Sequence, residues 1–326
     1  MSINSFSRHS IVAFLIFCIS VLFSSAANAD IYACAGNSIR VFADSASAGA
    51  APIRVISGAT TGIDECYGVA VDSLHGELWV AHGPVSVFRT DANGDVAPIR
   101  KITDPTMGFA VSVAVDLQAN EVIVGAGGLI LTYARLANGD ANPLRIMQIG
   151  AYVDFPDGLI VDRLHDEILV TCQGCTSGVF VFSRLSTGPA SPVRPPLDIA
   201  YARGLFYDPV QNELYVTGSA GVSVFDRLNG LKRLLEAGPA RLTHPWGLSV
   251  SNDGEMMVGN QSSVANTADP IFFYPASPLG AVSPTHQIDA GAVGNRHVYG
   301  LTTSHAMACA AANVVGDCIF RDGVEF

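Results

Sequence analysis

Residues 67–81 read YGVAVDSLHGELWVA: an apolar run ending in Asp72, a short polar turn, then Glu77 opening a second apolar run. Apolar runs of this length, β-branched and bounded by turn residues, predict two antiparallel strands rather than a helix. The phrase recurs as VSVAVDLQANEVIVG (111–125), DGLIVDRLHDEILVT (157–171), RGLFYDPVQNELYVT (203–217) and WGLSVSNDGEMMVG (246–259). A sixth copy, YGLTTS (299–304), stops after its first strand. Gly68, Ser112, Gly158, Gly204, Gly247 and Gly300 stand in register, about 43 to 53 residues apart, so the chain is a repeat protein.

A second phrase alternates with the first. It is an aromatic-ended strand (Phe42, Phe88, Tyr133, Phe182, Phe225, Tyr274), a polar turn, then an outer strand opening with Pro-x-Arg. The outer strands start at Pro52, Pro98, Pro143, Pro192 and Pro284, with a degenerate version around Lys232 and Arg233. Four short strands per unit at this period predict an all-β fold, a six-bladed β-propeller. The broken sixth copy finds its missing strands at the other end of the chain. Ile31-Tyr32-Ala33-Cys34-Ala35 matches Leu78-Trp79-Val80-Ala81-His82, followed by Ile39–Phe42 and Pro52-Ile53-Arg54. Blade six is therefore expected to be closed by strands from both the N- and C-terminal ends, which removes the open edge of the ring.

With these residues in view, Ala-Asn-Gly-Asp-x-Ala-Pro-x-Arg beside Gly-Val-Ala-Val-Asp and Glu-Leu-Trp-Val-Ala resembles the NHL-type repeat of six-bladed propellers, as found in exported bacterial proteins. The resemblance covers about residues 31–304. It implies a strand order A (GVAVD), B (ELWVA), C (VSVF), D (PIRKI) from axis to rim. The B–C and D–A loops then share one face, where such propellers place ligands. Immediately before each register position, Tyr67, Val111, Asp157, Arg203, Trp246 and Tyr299 would ring the central channel, with His82, His244, Asn260 and His297 behind them. One expectation is a plugged channel in which Asp157 pairs with Arg203 and the aromatics fill space. The other is a concave site with aromatic stacking and a charged pair for orientation. The fold is a platform, so activity has to be argued from loops.

The function expected is an exported binding or protein-interaction module working through that face, for a protein, small-molecule or glycan ligand, with the loop Asn260–Pro270 as a rim. The alternative is a lactonase-like, metal-assisted hydrolase or lyase at the channel mouth, using Asp157, Asn260 and nearby histidines. Only that alternative requires a cofactor, a divalent cation. Its Glu-Asn-Asp pattern is incomplete here, since Glu65 lies three residues ahead of the register position. Neither Gly-x-Ser-x-Gly nor a paired-carboxylate spacing occurs.

Two repeated acidic features look like metal sites. Asp91-Ala-Asn-Gly-Asp95 begins like a calcium loop, but the sixth and twelfth positions are Val96 and Ile102 instead of Gly and Glu, and the second copy starts at Leu136. The expectation is a tight C–D hairpin, with Asn93-Gly94 and Asn138-Gly139 at positive φ, followed by Pro and Arg on an exposed rim. Asp72, Asp116, Asp162 and Asp208 are each followed five residues on by Glu77, Glu121, Glu167 and Glu213. The aspartates are expected to accept bonds from turn amides, and the glutamates to start strand B near solvent.

The ends and the composition define the surroundings. Arg8 and His9 precede an apolar run, Ile11–Phe23, and Ala27-Asn28-Ala29 fits a signal-peptidase site, so residues 1–29 are expected to be a signal peptide and Asp30 the mature start. About 13 apolar residues are too few for a comfortable bilayer span. Periplasmic or extracellular localisation and a monomer without stable membrane insertion follow as expectations. A net charge of −11 with no basic cluster argues against nucleic acid. Cys34, Cys66, Cys172, Cys175, Cys309 and Cys318 remain after the signal, an even count that favours disulfides. On the propeller layout, Cys34–Cys66 would bridge the clasp, with Cys34–Cys309 as its rival. Cys172–Cys175 would staple a B–C loop, and Cys309–Cys318 would close a tail, 305–326, whose Phe-x-Asp-Gly-like ending is either a sorting tag or a packed terminus.

Overall fold

A computed structural model describes residues 30–304 apart from 173–174, 176–177, 228, 237–241, 252–253, 261–268, 277 and 290–297. The expected signal segment and the tail, with Cys309 and Cys318, lie outside the described residues. The chain is an all-β, six-bladed propeller. Blade one is typical: Gly68–Asp72, Glu77–Ala81, Val85–Arg89 and Arg100–Ile102 pair in that order, each antiparallel to the next. In blade six, Val298–Thr303 pairs with Ile31–Ala35, followed by Ser38–Phe42 and Arg54–Ser57. Cys34 stands opposite Gly300 just as Ala81 stands opposite Gly68, so the two ends complete one blade in the register of the others.

The core is six wedges, each between neighbouring blades. Trp79, Val87 and Ile102 of blade one pack with Val113, Val124, Leu131 and Tyr133 of blade two, and five equivalent clusters complete the circle. The B strands are buried on both faces because each is covered by a blade on each side. Near the axis the register glycines provide the necessary room. A Cβ on Gly158 or Gly204 would overlap the carbonyl of Arg203 or Trp246 in the following blade.

Blade three departs from the four-strand expectation. Its sheet holds Pro156–Asp162, Glu167–Cys172 and Val179–Ser183, and the outer strand expected from Pro192 is replaced by isolated bonds. Val193 N–H donates to Val181 and Leu197 N–H to Val179, on either side of Pro195-Pro196. Proline has no N–H to give a ladder, so the dipeptide lifts the chain away. Conversely, the degenerate segment around Lys232 forms a full strand, Leu231–Glu236.

The Asn-Gly turn is not a two-residue hairpin. Gly94 and Gly139 have positive φ, 81° and 67°, whereas Asn93 and Asn138 do not. The turn reaches across to the outer strand of the preceding blade. Gly94 N–H donates to the Val55 carbonyl at 2.7 Å, and Asn93 Oδ1 accepts from Val55 N–H at 3.0 Å. Asp95 Oδ1 accepts from Thr60 N–H at 2.7 Å. Asn138 and Gly139 repeat both strand contacts on Lys101, while Gly188 and Gly280 bridge to Met147 and Leu235. The acidic turn is a rim latch between blades.

The repeated glutamates also differ from expectation. Glu77, Glu167 and Glu213 are buried, not near solvent. The Pro-x-Arg arginines cover them: Arg100 on Glu77, Arg145 on Glu121, Arg194 on Glu167 and Arg233 on Glu213. Blade six uses Arg54 on Asp30, and blade five substitutes His286 on Glu255. The aspartates do accept turn amides, as His75 N–H to Asp72 and Ala119 N–H to Asp116 illustrate. A second set of arginines ties blades together: Arg135 reaches Glu77 and Asp72, Arg184 reaches Asp116, and Arg227 reaches Asp162 and Glu167.

Candidate functional site

The A strands converge on the axis, and the residues preceding them meet at one mouth. Arg203 lays its guanidinium 3.3 Å over the Trp246 ring. Trp246 meets Tyr299 edge-on at 4.6 Å, Tyr299 lies 5.5 Å from Tyr67, and Tyr67 meets Phe109 edge-on at 5.3 Å. Tyr67 OH donates to Glu65 at 2.9 Å, and burial with that carboxylate pushes the phenol up to about 12. Burial lowers the Arg203 pKa and the charge of Asp157 partly restores it. A guanidinium stacked by its flat face keeps its charge and its in-plane directional donors.

Short-range bonds fix the backbone beneath this cluster. Thr217 Oγ1 accepts from Gly204 N–H at 2.8 Å and donates to the Trp246 carbonyl at 3.0 Å. Thr171 makes the same pair of bonds to Gly158 N–H and the Arg203 carbonyl. In blade two the register residue itself, Ser112, donates to the Pro156 carbonyl at 2.5 Å. The bonds from Thr171 to the Arg203 carbonyl and from Thr217 to the Trp246 carbonyl tie these ring residues to the preceding blade, so Arg203 and Trp246 stand on a braced rim.

The remaining sequence candidates fall elsewhere. His82 is buried, its Nε2 lies 2.8 Å from Ser86 Oγ, and burial together with Lys101 lowers its pKa to about 4. Asn260 is buried as a bracket: Oδ1 accepts from Thr243 N–H at 2.9 Å and His244 N–H at 3.2 Å. It shapes the loop that presents His244. His297 and most of the expected rim loop, 261–268, lie outside the described residues.

A second ring escaped the initial pattern. Three residues before each register position stand Glu65, Phe109, Phe155, Tyr201, His244 and His297. Phe109, Phe155 and Tyr201 are large and 48%, 53% and 60% exposed. Their signal was the common offset, which also unites His244 with His297. Tyr201 holds a positive φ of 57°, an outlying conformation for a bulky residue.

Spaces differ along the face. On the axis, a cavity of about 90 Å³ lies beneath Tyr67, Asp157 and Tyr299, and one of about 120 Å³ lies farther along among aliphatic side chains. These volumes hold a few waters at most. Off the axis, between blades four and five, Tyr201, Arg203, Gly218, Ser219, His244 and Pro245 line a cavity of about 430 Å³. That is within the range of small-ligand sites. Among the described residues, no three or more of His, Cys, Asp and Glu are grouped to hold a metal ion. The hydrolase alternative therefore has no ligand set there.

Cys34 and Cys66 form a disulfide that joins strand B of blade six to the loop entering blade one, and Cys172 bonds Cys175. No described helix is long and apolar enough to cross a membrane.

No protein-family model and no curated protein sequence matches the chain. Its fold is similar to a chain in the crystal structure of a nidogen–laminin complex: TM-score 0.64, 10% identity, covering 84% of this chain and 98% of that one. It is also similar to a protein of unknown function from Bacteroides caccae: TM-score 0.62, 12% identity, covering 85% and 98%. At such identities the likeness establishes a β-propeller, a fold consistent with a protein-binding module.

Proposed function

We propose that the protein is an exported binding module whose ligand docks on the B–C and D–A loop face. The observation that carries this is the crown at the channel mouth, where Arg203 stacks on Trp246 and Trp246, Tyr299 and Tyr67 meet ring to ring above a braced backbone. Large aromatics and a stacked arginine are the side chains that dominate binding energetics. The nidogen–laminin likeness, a propeller in a protein complex, agrees with this use of the fold. Export is supported by the leader-like N-terminus and by disulfides, which persist in oxidising compartments.

The test is binding of the purified protein to peptide and glycan arrays, followed by Trp246→Ala and Arg203→Ala. Both substitutions are expected to abolish capture of any array ligand while leaving the melting temperature unchanged. Capture that survives both places the ligand on another surface and refutes the assignment.

A further inference from the structure

The ligand of this face can be narrowed to a chemical class, an inference that rests on the binding role proposed above. The cavity between blades four and five is the larger space beside the crown, about 430 Å³. Arg203 forms part of its wall, and the guanidinium spends its flat face on Trp246. Arg203 thus brings a permanent cation to a wall in which, among the described residues, no Asp or Glu stands. An ionised acceptor is the partner that makes the strongest hydrogen bonds to a guanidinium.

The other walls describe the rest of the ligand. Pro245 and the ring of Tyr201 are flat and apolar, and Tyr201 is held outward by its left-handed backbone. Such conformations persist where the surroundings over-determine them and cluster at ligand sites. The loops are tied rather than open: Ser219 N–H donates to the Ala200 carbonyl at 2.9 Å, and Asn260 fixes His244. Ser219 and His244 add polar groups at the opposite lip. We propose that this cavity binds a small carboxylate with a flat apolar body, its carboxylate on Arg203 and its body between Tyr201 and Pro245.

The protein carries two tryptophans, Trp79 buried in a wedge and Trp246 against Arg203, so Trp246 reports on the cavity. Phenylacetate titrated into the full protein is expected to change tryptophan emission saturably. Phenylacetamide, of the same shape without charge, should bind at least about tenfold more weakly, as expected when a charge-assisted bond is lost. Arg203→Gln should erase that preference with an unchanged melting temperature, and Arg203→Lys should restore it only in part. Trp246→Phe should silence the emission change while calorimetry still detects binding. The proposal is overturned by equal binding of acid and amide, by a preference that survives Arg203→Gln, or by no saturable response. If array ligands still require Trp246 in those cases, only the ligand class is wrong. If they do not, the face itself is wrong.

Discussion

Arg135→Met tests whether the buried arginines hold the ring together. Arg135 follows the C strand of blade two and extends into blade one. Its Nη1 lies 2.8 Å from Glu77 Oε2 and 3.6 Å from Asp72 Oδ2, and its Nε donates to Asn120 Oδ1 at 2.9 Å. The Arg135 side chain is 8% exposed and Asp72 is sealed. Methionine keeps most of the volume and removes the charge, leaving carboxylates short of a partner. Removing one member of a buried pair costs roughly 3–5 kcal/mol. Arg100 still holds Glu77 and His75 still holds Asp72, so the lower end applies, about 3 kcal/mol. At roughly 2–3 °C per kcal/mol for a domain of this size, the melting temperature should fall by about 6–9 °C. Burial alone would raise the Glu77 pKa, but the bonds from Arg100 and Arg135 bring it below its ordinary value of 4.5. Its contribution is thus present above pH 4.5 and lost as the pH falls through the depressed value. The gap between wild type and variant should narrow in acid. Arg89→Met, at the exposed Arg89–Asp91 pair, is the control and should melt like wild type. Thermal melts by circular dichroism across pH decide the matter. An Arg135→Met melt indistinguishable from the control, or a gap constant through acid, would refute the reasoning.

Three further outcomes follow from the same geometry. Replacing both Cys34 and Cys66 by Ser opens a loop with a sequence separation of 32 residues and should lower stability by roughly 3–4 kcal/mol in a urea melt, if chain entropy dominates. Glu213 would be raised by burial, yet Arg233 and Lys232 hold it at about 2, so stability should decline as pH falls from 4.5 toward 2. Glu213→Gln should flatten that decline; an unchanged pH profile would count against the pair. Calcium should leave the melting temperature unmoved, because Asp95 is engaged by Thr60 N–H and Asp91 by Arg89, and a saturable rise would restore the metal reading of the turn.

How much was legible in the sequence depended on whether a feature lay within one repeat or between two. Strand pairs such as Gly68–Asp72 with Glu77–Ala81 are local, and six copies in register were enough to read the blades and the shared sixth. The rim latch was not legible, because Asn93 answers to Val55 on another blade rather than to its own hairpin. Glu77 reads as a solvent-side strand start until two arginines from different strands close over it. Of the site, the inner ring was accessible from register alone, whereas the outer ring required noticing that Tyr201 and His244 share one offset. The missing strand of blade three did have a signal, Pro195-Pro196, which the repeat count concealed.

The clasp also sets a timetable. Ile31–Ala35 is the first of the described strands to be made, and its axis-side neighbour Val298–Thr303 is the last. During synthesis that first strand has one hydrogen-bonding edge without a mate until almost the whole chain has emerged. The Cys34–Cys66 bond needs only the opening sixty-six residues. It can therefore pin the waiting strand to the entry of blade one long before the ring is able to shut.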